Sequence, residues 1–175
     1  VRVLDDGAEV ELGGAKRQVF YTRGHANYHF VIVDRSASAL FNSHTFGLVY
    51  PRLQRAGHIA LPSTSLTDYD GAEARVSIDK GLGLSVERAF LTHFGEIWDL
   101  DVVAGQLRRW LDVSDALVQE AASLAPEARE PTLRGKPTKS GARCRGKIKQ
   151  CPCMVQVNLG NPGWIRLGYA SPRRA

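Results

Sequence analysis

Residues 21–29 read Tyr21-Thr22-Arg23-Gly24-His25-Ala26-Asn27-Tyr28-His29, and residues 40–47 read Leu40-Phe41-Asn42-Ser43-His44-Thr45-Phe46-Gly47. Each stretch opens on residues of strand character and places a histidine a few positions later. Upstream, Ala8 to Leu12 and Arg17 to Tyr21 read as two strands about Gly13-Gly14, where glycine accepts the positive φ that a two-residue hairpin turn demands. Further runs rich in β-branched and aromatic residues stand at Tyr28 to Val33, Ala37 to Phe41 and Ala89 to Thr92. His25 and His44 thus follow predicted strands, and His93 closes one. Strand ends hold loops rigidly and bring distant residues together, so these three are expected to converge on one site. Neutral imidazole is the commonest zinc ligand, and a catalytic zinc takes three protein ligands plus a water, which points to hydrolysis. On spacing alone, a histidine at a strand end is more often a hydrogen-bonded loop residue than a ligand.

Between the last two strands, Asp70 precedes Glu73 by three positions, a capping-box spacing that predicts a helix through about Lys80, ending near Gly81 and Gly83. From Asp99 to Leu124, apolar residues at Val103, Leu107, Trp110, Leu111, Leu117, Val118 and Ala121 predict a longer amphipathic helix, broken near Ser114. Tyr28, Phe30, Phe46, Phe90 and Phe94 read as core residues, and His58, in a polar stretch, as exposed.

The 175 residues, 43% hydrophobic and 8% aromatic, suffice for one ordinary domain. No apolar run approaches the roughly 18 residues of a membrane span, and the first residues lack the basic start and apolar stretch of a signal peptide; a cytoplasmic protein with no membrane association is expected. The only methionine is Met154, which suggests a fragment or a truncated reading frame. The net charge of +5 hides a division: residues 131–175 carry ten Lys and Arg and no acid, leaving 13 basic against 18 acidic residues before them. A folded domain over residues 1–125 and a disordered basic Pro/Gly-rich tail over 126–175 are expected, with a short strand at Met154 to Val157. Such a tail could attract phosphate backbones without sequence preference. Its few aromatics and lack of acids fit translation out of frame past the domain's end better than a nucleic-acid partner. Cys144, Cys151 and Cys153 match no standard zinc module and no disulfide framework.

Residues 21–29 resemble the Thr-Pro-Gly-His-x-x-x-His segment of metallo-β-lactamase-fold hydrolases, with Arg23 in place of the usual Pro. Residues 40–47 resemble the Leu-Phe-x-Gly-Asp-Thr-Phe-Gly segment that follows, with Ser43 at the Gly position and His44 at the Asp. Leu61-Pro62-Ser63-Thr64-Ser65-Leu66-Thr67-Asp68-Tyr69-Asp70 is similar to a loop leading into a helix in one bacterial branch of these enzymes, and Leu91-Thr92-His93-Phe94-Gly95 to the segment bearing the last ligand histidine. The four segments occur in the family's order over Val1 to about Leu124.

The resemblance implies the C-terminal half of the four-layered αβ/βα sandwich: an α/β fold with one mostly antiparallel sheet and two helices on one face. It implies metal positions at His25, His44 and His93, with His29 and Thr45 supporting the site from behind, and zinc as cofactor, two ions in the parent family. The implied activity is hydrolysis of a small ester, thioester, lactone or similar bond, the metals lowering the pKa of a bound water and polarising the substrate. Two departures stand out. The family's upstream His-x-His-x-Asp-His segment has no counterpart, since no His-x-His occurs in the chain. And imidazole at position 44 offers one nitrogen and no charge where a carboxylate bridges two cations. An incomplete chain is therefore expected, inactive in isolation and with no catalytic acid or base assignable. Its uncovered sheet face should be apolar and drive self-association. The rival readings are a non-catalytic remnant of the fold and a basic nucleic-acid-binding protein.

Overall fold

The computed structural model describes residues 3–54, 57–64, 68–125, 127–128, 155–156 and 166–167. It divides into two compact units, Val1–Arg108 and Arg109–Ala175. The first carries a six-stranded sheet in the order β1-β2-β3-β4-β5-β6, built from β1 Glu9–Leu12, β2 Ala15–Tyr21, β3 Phe30–Asp34, β4 Ala39–Phe41, β5 Arg88–Phe90 and β6 Glu96–Ile97. All neighbours are antiparallel except β4 and β5, which run parallel. Parallel neighbours need a crossover, and α1, Gly71–Gly83, supplies it. Sequence reading therefore recovers five strands and the crossover helix within a few residues; the two-residue β6 is too short to leave a periodic signal.

The hairpin turn forms as the glycines require, with φ of 61° at Gly13 and 76° at Gly14. At the start of α1 the Asp70 carboxylate accepts from Ala72 N at 2.8 Å and Glu73 N at 3.0 Å, satisfying two of the amides a helix leaves without partners. Lys80, near the other end, bonds Asp6 at 2.7 Å and the Tyr21 carbonyl at 3.0 Å, and lies 5.6 Å over the Phe20 ring, which fixes α1 against β2.

Side chains alternate across a strand, and cross-strand partners share a face. On one face the aligned row Val33, Leu40, Ala89 and Ile97 is fully buried, as is Val31. With Phe46, with Ile78 of α1 and with Leu100, Val103, Ala104 and Leu107 from the start of α2, these residues form the core of the first unit. On the other face the row Val19, Ile32, Phe41 and Phe90 runs beside the pair Tyr21 and Phe30. Here Tyr21 is 40% exposed, Phe30 43% and Phe41 44%, and the Phe41 ring stacks on Phe90 at 5.5 Å. Of the apolar face expected from sequence, Tyr21, Phe30 and Phe41 are exposed, while Val19 in the same rows is buried.

α2 spans Leu100–Ser123 without interruption. The break expected near Ser114 does not occur, because the Ser114 hydroxyl donates to the Trp110 carbonyl one turn back at 2.8 Å and is satisfied inside the helix. Among the aromatics read as core, only Phe46 is fully buried; Tyr28, Phe30 and Phe94 are exposed, since three of the positions face off the sheet or onto loops. In the second unit, β7, Val155–Gln156, pairs antiparallel with β8, Arg166–Leu167, inside the stretch where a short strand was expected. The remaining tail expectations, including disorder and the three cysteines, lie outside the described residues. No helix among the described residues is long and apolar enough to cross a membrane.

Candidate metal centre

β2 is antiparallel to β3 and β3 to β4, so β2 and β4 point the same way, and β5 is parallel to β4. The C-terminal ends of these three strands therefore share one rim. His25 follows the last residue of β2 by four positions, and His44 and His93 follow the last residues of β4 and β5 by three. Topology alone brings them together, and the rings meet: His25 stacks on His44 at 4.1 Å with 23° between planes, and His44 lies 5.3 Å from His93. His29 joins them, 5.3 Å from His25 and 5.8 Å from His44.

The loops are held by their own backbone chemistry. Asn42 N donates to the Phe90 carbonyl at 2.8 Å, and the Thr92 hydroxyl to the Ser43 carbonyl at 2.7 Å, tying the His44 loop to the His93 loop. Asn42, wholly buried, accepts from Phe46 N at 2.8 Å and closes the turn beneath His44. The His25 loop is gripped by α1: Asp70 N donates to the Gly24 carbonyl at 2.8 Å and the Ser77 hydroxyl to the Arg23 carbonyl at 2.6 Å.

Hydrogen bonds fix two tautomers. His25 Nδ1 lies 3.0 Å from the Ser63 carbonyl, which can only accept, so Nδ1 carries the proton and Nε2 keeps its lone pair. His29 Nδ1 donates to the Thr22 carbonyl at 2.9 Å while Nε2 accepts from His44 N at 3.0 Å. Both nitrogens of His29 are thereby occupied, and its place is behind the cluster, bracing the His44 backbone. Thr45, next to His44 in the chain, has a buried hydroxyl with no hydrogen-bond partner among the described residues. His58 stands apart and is half-buried rather than exposed, its Nε2 accepting from Trp98 N at 3.4 Å while Gln106 donates to its carbonyl at 2.7 Å. Ser63 could not be found from sequence, because its contact with His25 spans 38 positions.

Burial pushes His44 down from its ordinary 6.5 to about 4, helped by the charge that His25, His29 and His93 would carry when protonated. Burial also lowers His29, against the opposing bond to the Thr22 carbonyl, with His25 adding to the depression. The unfolded chain takes up these protons near pH 6.5 and the folded chain only at lower pH. The folded state is therefore at full strength above 6.5, weakens as pH falls, and has lost the whole His44 contribution below about 4. After discounting for partial exposure, a loss of about 1–2 kcal/mol between pH 6.5 and 4 is expected. Urea melts at pH 7, 5.5 and 4.5 measure it, and a His44→Gln chain should show a flatter profile. Asp6, lowered by its bond to Lys80, and Asp34, lowered by its bond to Ser36, act below 3.8 and leave this window clear.

The same arrangement of sheet and helices is found in solved proteins. A metallo-β-lactamase family protein from Thermus thermophilus superposes on 67% of this chain with a TM-score of 0.52 and 21% identity. This is part of a metallo-β-lactamase fold. A double mutant of a sec-alkyl sulfatase superposes on 75% of the chain with a TM-score of 0.50 and 17% identity. The chain spans 38% of the length of the first protein and 21% of the second. No family model matches the sequence, and no curated protein does. The metallo-β-lactamase fold thus rests on three-dimensional likeness together with the four sequence segments.

Three neutral-capable imidazoles are the right chemistry for zinc. Their arrangement is not a cage: lone pairs lie in the ring planes, and the stack of His25 on His44 keeps those planes near-parallel, so that the two do not meet on one ion. Among the described residues no group of three or more His, Cys, Asp or Glu is placed to hold an ion. The chain's own residues, as they stand, do not complete a metal site.

Proposed function

We propose that this chain carries one share of a zinc-dependent hydrolase of the metallo-β-lactamase superfamily, acting on a small ester, thioester, lactone or similar bond. The observation that supports this is the meeting of His25, His44 and His93 at the rim shared by β2, β4 and β5, in a fold whose solved relatives include a sec-alkyl sulfatase. The remaining donors would come from a further segment, because the chain holds no His-x-His and spans under half of its solved relatives. Within the chain, His25 offers Nε2, His44 stays neutral through the physiological range, and His29 holds the backbone of the His44 loop. No reaction step is assigned to these residues alone.

Zinc titration of the chain at pH 7.5, followed through the imidazole Cε1 proton resonances, tests the reading. His25, His44 and His93 are expected to shift together at one weak transition, which His25→Ala abolishes, while His58 stays still. The stacked rings favour the second reading, a non-catalytic remnant, which is upheld if the three resonances do not move at a tenfold excess of zinc.

A further inference from the structure

The rings at this rim do not stop at the histidines. Phe94 lies 6.0 Å from His93, and Tyr50 lies 5.1 Å from Phe94 at a tilt of 37°. An unbroken run, His25, His44, His93, Phe94 and Tyr50, therefore leads from imidazole to hydrocarbon. Phe94 has a φ of 71°, a left-handed conformation that costs any residue with a β-carbon, yet its side chain is 52% exposed. Glycine or asparagine would be cheaper there, and about half of the ring stays in water. What the conformation secures is a position: Gly95, at φ 106°, follows, and Leu91 N donates to the Gly95 carbonyl at 2.9 Å, closing the turn that holds Phe94 out beside His93. A strained, exposed aromatic next to a cluster of chemistry-bearing side chains is the pattern expected of a ligand contact.

We propose that Phe94 and Tyr50 form the wall that binds the apolar acyl group of the substrate, so the site selects aryl or branched hydrocarbon acyl groups over acetyl. The proposal rests on the hydrolase reading for the word substrate, but the wall is part of this chain and needs no metal to be observed. Its occupant is set by continuity with the imidazoles: the polar end of an ester lies toward His44 and its hydrocarbon toward Phe94.

The test uses the full chain without metal and two product carboxylates, phenylacetate and acetate, with amide and aromatic resonances as readout. Phenylacetate is expected to bind about 10-fold more tightly than acetate, from burial of its ring, and to perturb Phe94, Tyr50 and His93. Phe94→Gly and Phe94→Asn remove the ring while easing the backbone, so both chains should melt no lower than the parent and lose the discrimination. Equal binding of the two acids overturns the proposal. So does phenylacetate shifting Phe30 and Phe41 on the open sheet face instead, or an undiminished preference in Phe94→Gly. Shifts of Phe94 and Tyr50 that follow protein concentration without any probe also overturn it, because a second copy then covers the wall. A zinc titration run alongside separates the two ideas: discrimination between the acids with still imidazoles upholds the wall while the metal reading fails.

Discussion

Replacing Gly24 by alanine should cost about 3 kcal/mol, although it adds one methyl group. Gly24 has a φ of 115°, where an L side chain is strained whatever the surrounding space. The space is also missing: a β-carbon there would lie 2.5 Å from Ala74 Cα and 2.8 Å from Ala74 Cβ. Both are parts of the first turn of α1, which Asp70 and Ser77 bind to this same loop. Relief requires the helix to move away from the loop carrying His25, breaking those bonds. Domains hold roughly 5–15 kcal/mol in total, so the loss is a large fraction. Gly83→Ala is the control, since a β-carbon there meets nothing within 4 Å and the position is helical; it should be neutral or slightly stabilising. Urea unfolding of the three chains decides it, and a Gly24→Ala chain within 0.5 kcal/mol of the parent, roughly the scatter of surface substitutions, would sink the argument.

The second large effect concerns the open face of the sheet. Tyr21, Phe30 and Phe41, each exposed, lie beside half-buried Ile32 and Phe90 in an apolar patch on this face. We expect the chain to associate with itself through it, because water is expelled from large aromatic surfaces at a gain of about 1.5–3 kcal/mol for each ring buried. Phe30→Lys with Phe41→Lys should weaken association by about 100-fold or more, since two buried rings are lost and two charges oppose contact. The lysine stems can still lie along the sheet, so the core, which is on the other face, is kept. Light scattering over a dilution series gives the answer; a parent chain that is monomeric at every concentration refutes it.

What sequence could reveal followed from how local the cause was. Asp70 and Glu73 announce a helix start within four residues, and Gly13-Gly14 announce a hairpin within two. The histidine cluster was legible for a less local reason: each histidine follows a strand, and three co-directional strands share a rim. The exposure of Phe94 was not legible, because an aromatic in a strand-like run looks like core until the left-handed turn is seen. The unbroken α2 was missed because serine disfavours helices only while its hydroxyl competes for backbone, and at Ser114 it bonds back within the helix. Nor could sequence show that His25 and His44 stack, since ring orientation depends on bonds to Ser63 and, through His29, to the backbone of residue 44.

The shared direction of β2, β4 and β5 also sorts the molecule into two ends with different freedoms. His25, His44 and His93 hang from one rim, whereas the opposite rim carries the Gly13-Gly14 turn and the Arg35–Ser38 turn. A change in the length of the Arg35–Ser38 turn should therefore be felt in stability, through the bonds of Arg35 to Leu84 and of Glu87 to Ser38, and leave the spacing of the imidazoles at the other pole as it is.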